Sequence, residues 1–173
     1  MIDSQTTGIG LGLLVQAVAA AAAGGVPPNK IEGIIRATIP HIYMLICIPE
    51  LTHLADAGYM GRSQALVAEM MGMLPIFTLE EGRLSPIEKV RTQRHMFEAF
   101  HVFMNEFEAP AQVALVQGEG NSSIRSRSVR QFVEETFPET PFHECVTSDH
   151  QAALFGPHST ALVVMDKLDL RLS

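Results

Sequence analysis

Residues 70–92 read MMGMLPIFTLEEGRLSPIEKVRT, and the fold turns on this stretch. Two apolar runs, Leu74–Leu79 and Arg83–Val90, flank Glu80-Glu81-Gly82, a pattern that predicts a β-hairpin. The first run is preceded by Met70, Met71 and Met73, and the second ends in Lys89-Val90-Arg91. Methionine is flexible and polarizable, so a cluster of it tolerates a guest of variable shape as readily as it fills a core. Our expectation is that Met70, Met71, Met73, Leu74, Ile76 and Phe77 line an apolar slot. Arg91 is then expected at the mouth, near an acid.

Working outward, a two-stranded hairpin needs partners, and the rest of the chain supplies four more strand-like runs. IYMLICIP, before the hairpin, is the short continuous apolar run expected of a central strand covered on both sides. AQVALVQ, FHECVTS and ALVVMDK follow it. Helices are predicted over residues 9–24, over 29–39 with a capping box at Asn29-Lys30-Ile31-Glu32, and over two short segments around Tyr59-Met60-Gly61-Arg62. Another spans about 92–107, with Met96, Phe100, Phe103, Met104 and Phe107 as its apolar stripe. A further helix covers 122–137, with Ile124, Ser128, Phe132 and Val133 inward, and a short one lies near Asp149–Leu154. The fold class is α/β: a two-layer sandwich with a mixed sheet of about six strands and helices packed on it.

Composition narrows the function. The 173 residues suit one domain with a full core or two very small ones, and 47% apolar with 18% charged residues is globular. A net charge of −7 argues against general nucleic-acid binding, which needs clustered cations. Cys47 and Cys145 lack metal or disulfide spacing and read as buried thiols of a reducing cytoplasm. The apolar run from Ile9 to Gly24 falls short of the ~20 residues that span a bilayer. It follows Asp3 with no basic segment, unlike a signal peptide, and reads as a buried helix packed against something large.

The chemistry-bearing motifs are thin. Gly8-Ile9-Gly10-Leu11-Gly12 departs from G-x-G-x-x-G because Leu13 stands where the last glycine belongs. Gly118–Ser123 follows a strand and opens a helix, but Glu119 would repel an anion there. His95 and His101 lie about 120° apart around one helix and cannot share a metal. Arg125, Arg127 and Arg130 form a solvated basic face, while Ser148-Asp149-His150, consecutive in sequence, make no triad. No catalytic residue, metal site or cofactor is assigned. His158, in the turn Gly156-Pro157-His158, either donates to a carboxylate or merely holds the loop.

Three stretches, IDS…GIGLGLLV, LTHLADAGYMGRSQAL and MMGMLPIFTLEEGRLSPIEKVRT, resemble the DegV family of bacterial fatty-acid-binding proteins, in its C-terminal domain. Gly156-Pro157-His158 echoes the family's late G-T-H. The resemblance implies a cytoplasmic carrier without catalysis of its own, holding a long-chain fatty acid whose carboxylate is presented to a fatty acid kinase. It implies a junction segment over 1–27, a strand end and a helix, followed by a lipid-binding domain over 28–173. It places Arg91 near the mouth or the kinase-facing surface, and His158 in the head-group network. The family's H-T-G-P-G-A shortens here to His158-Ser159-Thr160-Ala161, and Gly58-Tyr59-Met60 replaces G-G-R-I, with Arg62 close by. A serine expected before G-x-G is Gly8, and the family's N-terminal domain, whose Thr and Ser hydroxyls grip the carboxylate, has no counterpart in these residues. The alternative is a ligand-free interaction module, a homodimer included, because an exposed apolar face seldom stays bare. A hydrolase built on Ser148 or His150 is the least supported reading, and membrane insertion is not expected.

Overall fold

The computed structural model describes residues 1–118 and 123–167, with side chains at all of these except 123–125. In chain order the elements are α1 (Ile9–Ala23), α2 (Pro28–Thr38), a 3-10 turn (Ile39–His41), β1 (Ile42–Cys47), α3 (Leu51–Asp56), α4 (Arg62–Met70), β2 (Leu74–Glu80) and β3 (Arg83–Val90). Then follow α5 (Gln93–Met104), β4 (Pro110–Gln117), α6 (Ser123–Thr136), β5 (Phe142–Val146), α7 (Asp149–Phe155) and β6 (Thr160–Asp166). The six strands form one sheet in the order β3-β2-β1-β6-β4-β5. β4 and β5 run parallel, joined through α6, and every other pairing is antiparallel. The expected mixed six-stranded α/β sheet is what the chain forms.

The continuous apolar runs explain the centre of that sheet. Successive side chains of a strand point to opposite faces. Met44 and Ile46 of β1 therefore join one core with Leu13 and Leu14 of α1, Leu51 and Leu54 of α3, and Phe155 of α7. Leu45 and Cys47 join a second core with Met96, Phe97, Phe100 and Met104 of α5 and Val129 and Val133 of α6. Helices thus cover both faces, giving three layers where the sequence predicts two. The reason is visible in β1, β4 and β6, which have no polar-out face to leave in water.

The hairpin closes through Glu81 and Gly82, at φ 49° and 74°. Two consecutive positive-φ residues make the turn whose twist matches the flanking strands. Between Ile76 and Phe77 the register shifts, so that Ile76 faces Glu88 and Phe77 faces Pro86. The extra residue, Ile87, is left bulged and exposed.

Several local expectations give way. α2 begins at Pro28 with Pro27 as its N-cap and no side-chain cap, because proline suits the first helical position; Glu32 instead pairs with Arg36 at 2.8 Å. α1 buries only Gly10, Leu13 and Leu14, leaving Leu11 and Val15 exposed, since only its first half reaches the sheet. On α6 the inward positions are Ser126, Val129 and Val133; Ser128 faces outward, and Ile124 lies outside the described side chains. On α5, Phe97 joins the stripe while Phe103 and Phe107 are half-buried and meet edge-on at 5.3 Å. Residues 119–122 of the Gly118–Ser123 turn lie outside the described residues. Residues 1–8 form no strand, and α1 packs into the same core as β1.

Candidate functional site

Antiparallel pairing brings the predicted site residues to one end of the sheet. Cys47 closes β1 opposite Ile76 of β2 and Thr160 of β6, and Leu74 faces Val90. Arg91 therefore leaves β3, and His158 enters β6, at the same end. They do not lie on neighbouring strands: β2 and β1 stand between β3 and β6, three strand steps of about 4.8 Å.

Beside Arg91 lies a groove of about 670 Å³ between the hairpin and α5. Leu45, Ile76, Val90, Ala99, Val102 and Phe103 supply its apolar lining. Lys89, Arg91 and His95 stand on its rim with Glu88, Glu98 and Glu106. Among the described residues Arg91 has no carboxylate partner, whereas Arg94 is tied to Glu98 at 2.9 Å. Arg91 immediately precedes Thr92, whose hydroxyl caps α5 by accepting from the His95 N–H at 3.2 Å. The partial positive charge of the helix start adds to that of the guanidinium, against the carboxylates of Glu88 and Glu106 on the same rim.

Of the six predicted slot residues, the structure brings one, Ile76, into the groove with Arg91. Leu74 packs partly against the same core, and Phe77 points to the opposite core because neighbouring strand residues alternate. Met70 and Met71 lie at the end of α4, 87% and 54% exposed, and Met73 lines a smaller cleft with Ala68, Pro75, Pro86 and Ile87. The methionines therefore do not form one slot with Ile76, since Gly72 at φ 62° turns the chain between α4 and β2. Of the groove's α5 lining, Phe103 belongs to the predicted stripe, while Ala99 and Val102 were legible only as positions beside it.

On the other face, Leu79, Leu84, Leu154, Phe155 and Tyr59 border a cleft of about 220 Å³ whose polar side holds Asp3, Gln5, Thr6 and Thr7. Tyr59 is 61% exposed, and Arg62 lies 3.9 Å from Asp56 at the surface.

The His158 turn is locked by two glycines. Gly156 adopts φ 83°, and a Cβ there would press on the Glu50 carboxylate; a Cβ at Gly118 would collide with the Pro157 carbonyl. Ser159 closes the turn by donating from its hydroxyl to the Gly156 carbonyl at 2.9 Å. His158 Nδ1 lies 2.9 Å from Glu50 Oε1. Glu50 carried no signal in the sequence, because the contact spans 108 positions.

The other singled-out groups have structural work. Burial pushes the Cys47 thiol up to about 12 and raises Cys145 as well, so neither is a ready thiolate. His101 stacks on Phe132 at 4.8 Å, and burial lowers its pKa against the opposing pulls of the Ser128 backbone and Glu98. Arg130 leaves the predicted basic face to pair with Glu144 at 3.2 Å over the Phe142 ring, because β5 packs beside it. Ser148 caps α7 and bonds Gln151 instead of a histidine. Among the described residues no three His, Cys, Asp or Glu side chains gather as metal ligands, and no helix is long and apolar enough to cross a membrane.

A family model described as an uncharacterised protein of the DegV family matches residues 1–167. A DegV domain-containing protein of Caldanaerobacter subterraneus is 33% identical over 94 residues, which are 54% of this chain and 34% of that protein. The crystal structure of a DegV family protein from Eubacterium eligens loaded with heptadecanoic acid superimposes with a TM-score of 0.83 at 18% identity, covering 96% of this chain and 60% of that one. The Streptococcus pneumoniae Fatty Acid Kinase (Fak) B3 protein loaded with linoleic acid does so with a TM-score of 0.83 at 17% identity, over 96% and 59%. The chain thus spans about three fifths of those solved structures and a third of the first relative. With the match running through all but its last residues, the chain belongs to the DegV family.

Proposed function

We propose that this chain binds a long-chain fatty acid or a similar lipid, as a carrier without catalysis of its own. Family membership supports the class, together with a fold shared with proteins described as loaded with heptadecanoic and linoleic acids. The observation that carries the reading within this chain is the Arg91 groove, whose apolar lining suits an acyl tail and whose Arg91, without a carboxylate partner among the described residues, suits a carboxylate. Its volume falls in the roughly 300–1,000 Å³ range of small-molecule sites. Each methylene buried there gains about 0.8 kcal/mol, close to fourfold in affinity. Presentation of the carboxylate to a fatty acid kinase, in the cytoplasm, completes the reading, and its support is the likeness to the Fak B3 protein.

Val102→Trp fills the groove and is expected to weaken palmitate binding at least tenfold by calorimetry, while Leu154→Trp in the opposite cleft leaves it unchanged. The reverse pattern moves the tail to the opposite face and removes the groove assignment. An organic extract of natively purified protein free of lipid, with no palmitate binding, counts against the carrier itself.

A second reading is favoured by the outward face of α4, where Leu66, Val67, Met70 and Met71 are all exposed. In that reading the chain is an interaction or oligomerisation module that buries this face. Light scattering then shows association that rises with concentration, and a concentration-independent monomer removes self-association.

A further inference from the structure

The groove beside Arg91 has two unlike ends. His95, Glu98, Ala99, Val102, Phe103 and Glu106 line it from the helix side. They recur every three or four residues and so form one stripe along α5, from its first turn to just past its last. The turn continues there, because the Glu106 N–H donates to the Phe103 carbonyl at 3.1 Å. At 1.5 Å per residue the stripe runs about 16 Å. Arg91 and the start of α5 stand at one end. Glu106 and the partial negative charge of the carbonyl end of α5 stand at the other, with Ala99, Val102 and Phe103 between. On the strand side, Glu88 is opposite Ile76 and shares its face, while Lys89 is opposite Pro75 and starts from the other face. Glu88 is three residues, about 10 Å, back along the strand from Arg91. Glu98 is tied to Arg94 at 2.9 Å, but neither Glu88 nor Glu106 has a cation partner among the described residues. A plain fatty acid answers Arg91 alone. It leaves these two carboxylates, which accept and cannot donate, without a donor.

We propose that the groove takes a two-headed amphiphile. Its anion meets Arg91, its apolar chain follows the α5 stripe, and a hydrogen-bond-donating group far along the chain, ammonium or hydroxyl, meets Glu88 and Glu106. These two glutamates are then the specificity-determining residues of the far end. They favour a donor there and disfavour a second anion. The inference deepens the lipid-carrier reading and rests on it.

The test is calorimetry on the whole chain with dodecanoic acid, 12-aminododecanoic acid and dodecanedioic acid. The three share one chain, about as long as the groove, and differ only at the far end. The wild type is expected to favour the amino acid over the diacid by at least about threefold, the scale of exposed charge pairs. Glu88→Gln with Glu106→Gln should remove most of that preference. Glu134→Gln with Glu139→Gln, at exposed positions on and beyond α6, makes the same change in net charge and should leave it intact. A preference that survives in E88Q/E106Q, or that E134Q/E139Q removes equally, overturns the assignment to Glu88 and Glu106. Dodecanoic acid bound by the wild type with no preference between the other two overturns the inference and leaves the carrier reading standing. A wild type that binds neither dodecanoic acid nor palmitate removes the carrier reading, and the inference with it.

Discussion

Arg91 and His158 show what single residues in this chain can and cannot do. Their local surroundings are legible in sequence: an arginine closing a strand before a Thr-capped helix, and a histidine in a Gly-Pro turn. Their separation is not, because it depends on strand order, which puts β2, β1 and β6 side by side. The consequence for Arg91 is specific. As a groove cation without a carboxylate partner among the described residues, like Lys89, it is available to an anionic head group. Arg91→Gln should weaken palmitate about tenfold, the loss of one charge-assisted hydrogen bond, with little change in melting temperature. Calorimetric titration beside a melting curve separates the two effects; an unchanged affinity would take Arg91 out of the head-group site.

The hairpin is where pattern and structure agree most closely, and where one residue breaks its own rule. Glu-Gly reads as a turn, and both residues take positive φ as that turn demands. Glutamate at φ 49° bears a strain that asparagine tolerates better. Glu81→Asn should therefore stabilise the chain by about 1 kcal/mol, raising the melting temperature by about 2–4 °C. A lower melting temperature would mean that the Glu81 side chain has a contact worth more than the strain. The methionines before the hairpin illustrate the opposite outcome. Their composition says soft and apolar, but Gly72 turns the chain between α4 and β2, and Met70 and Met71 stay on the helix exterior. Composition reports the kind of side chain, while its direction is set by where the helix stops. The groove lining was missed for a related reason: Ala99 and Val102 sit one position around α5 from the larger residues that define its stripe.

For the whole molecule, the α/β class and the mixed six-stranded sheet follow from the spacing of apolar runs, each long enough for one strand. The number of layers follows only from seeing that β1, β4 and β6 are apolar on both faces, which demands helices on each side. Neither edge invites another strand. β3 carries Pro86 and a bulge, and β5 is short, with His143 and Glu144 exposed. Association, if present, should use helix faces such as α4. The site itself is a property of this scale, since Leu45, Ile76, Val90 and Val102 meet from four elements. Methyl NMR during a palmitate titration tests it most directly. The account predicts saturable shifts at the Leu45, Ile76, Val90 and Val102 methyls, losing strength in Arg91→Gln. Shifts confined to Leu79, Leu84 and Leu154, or none at all, would contradict it.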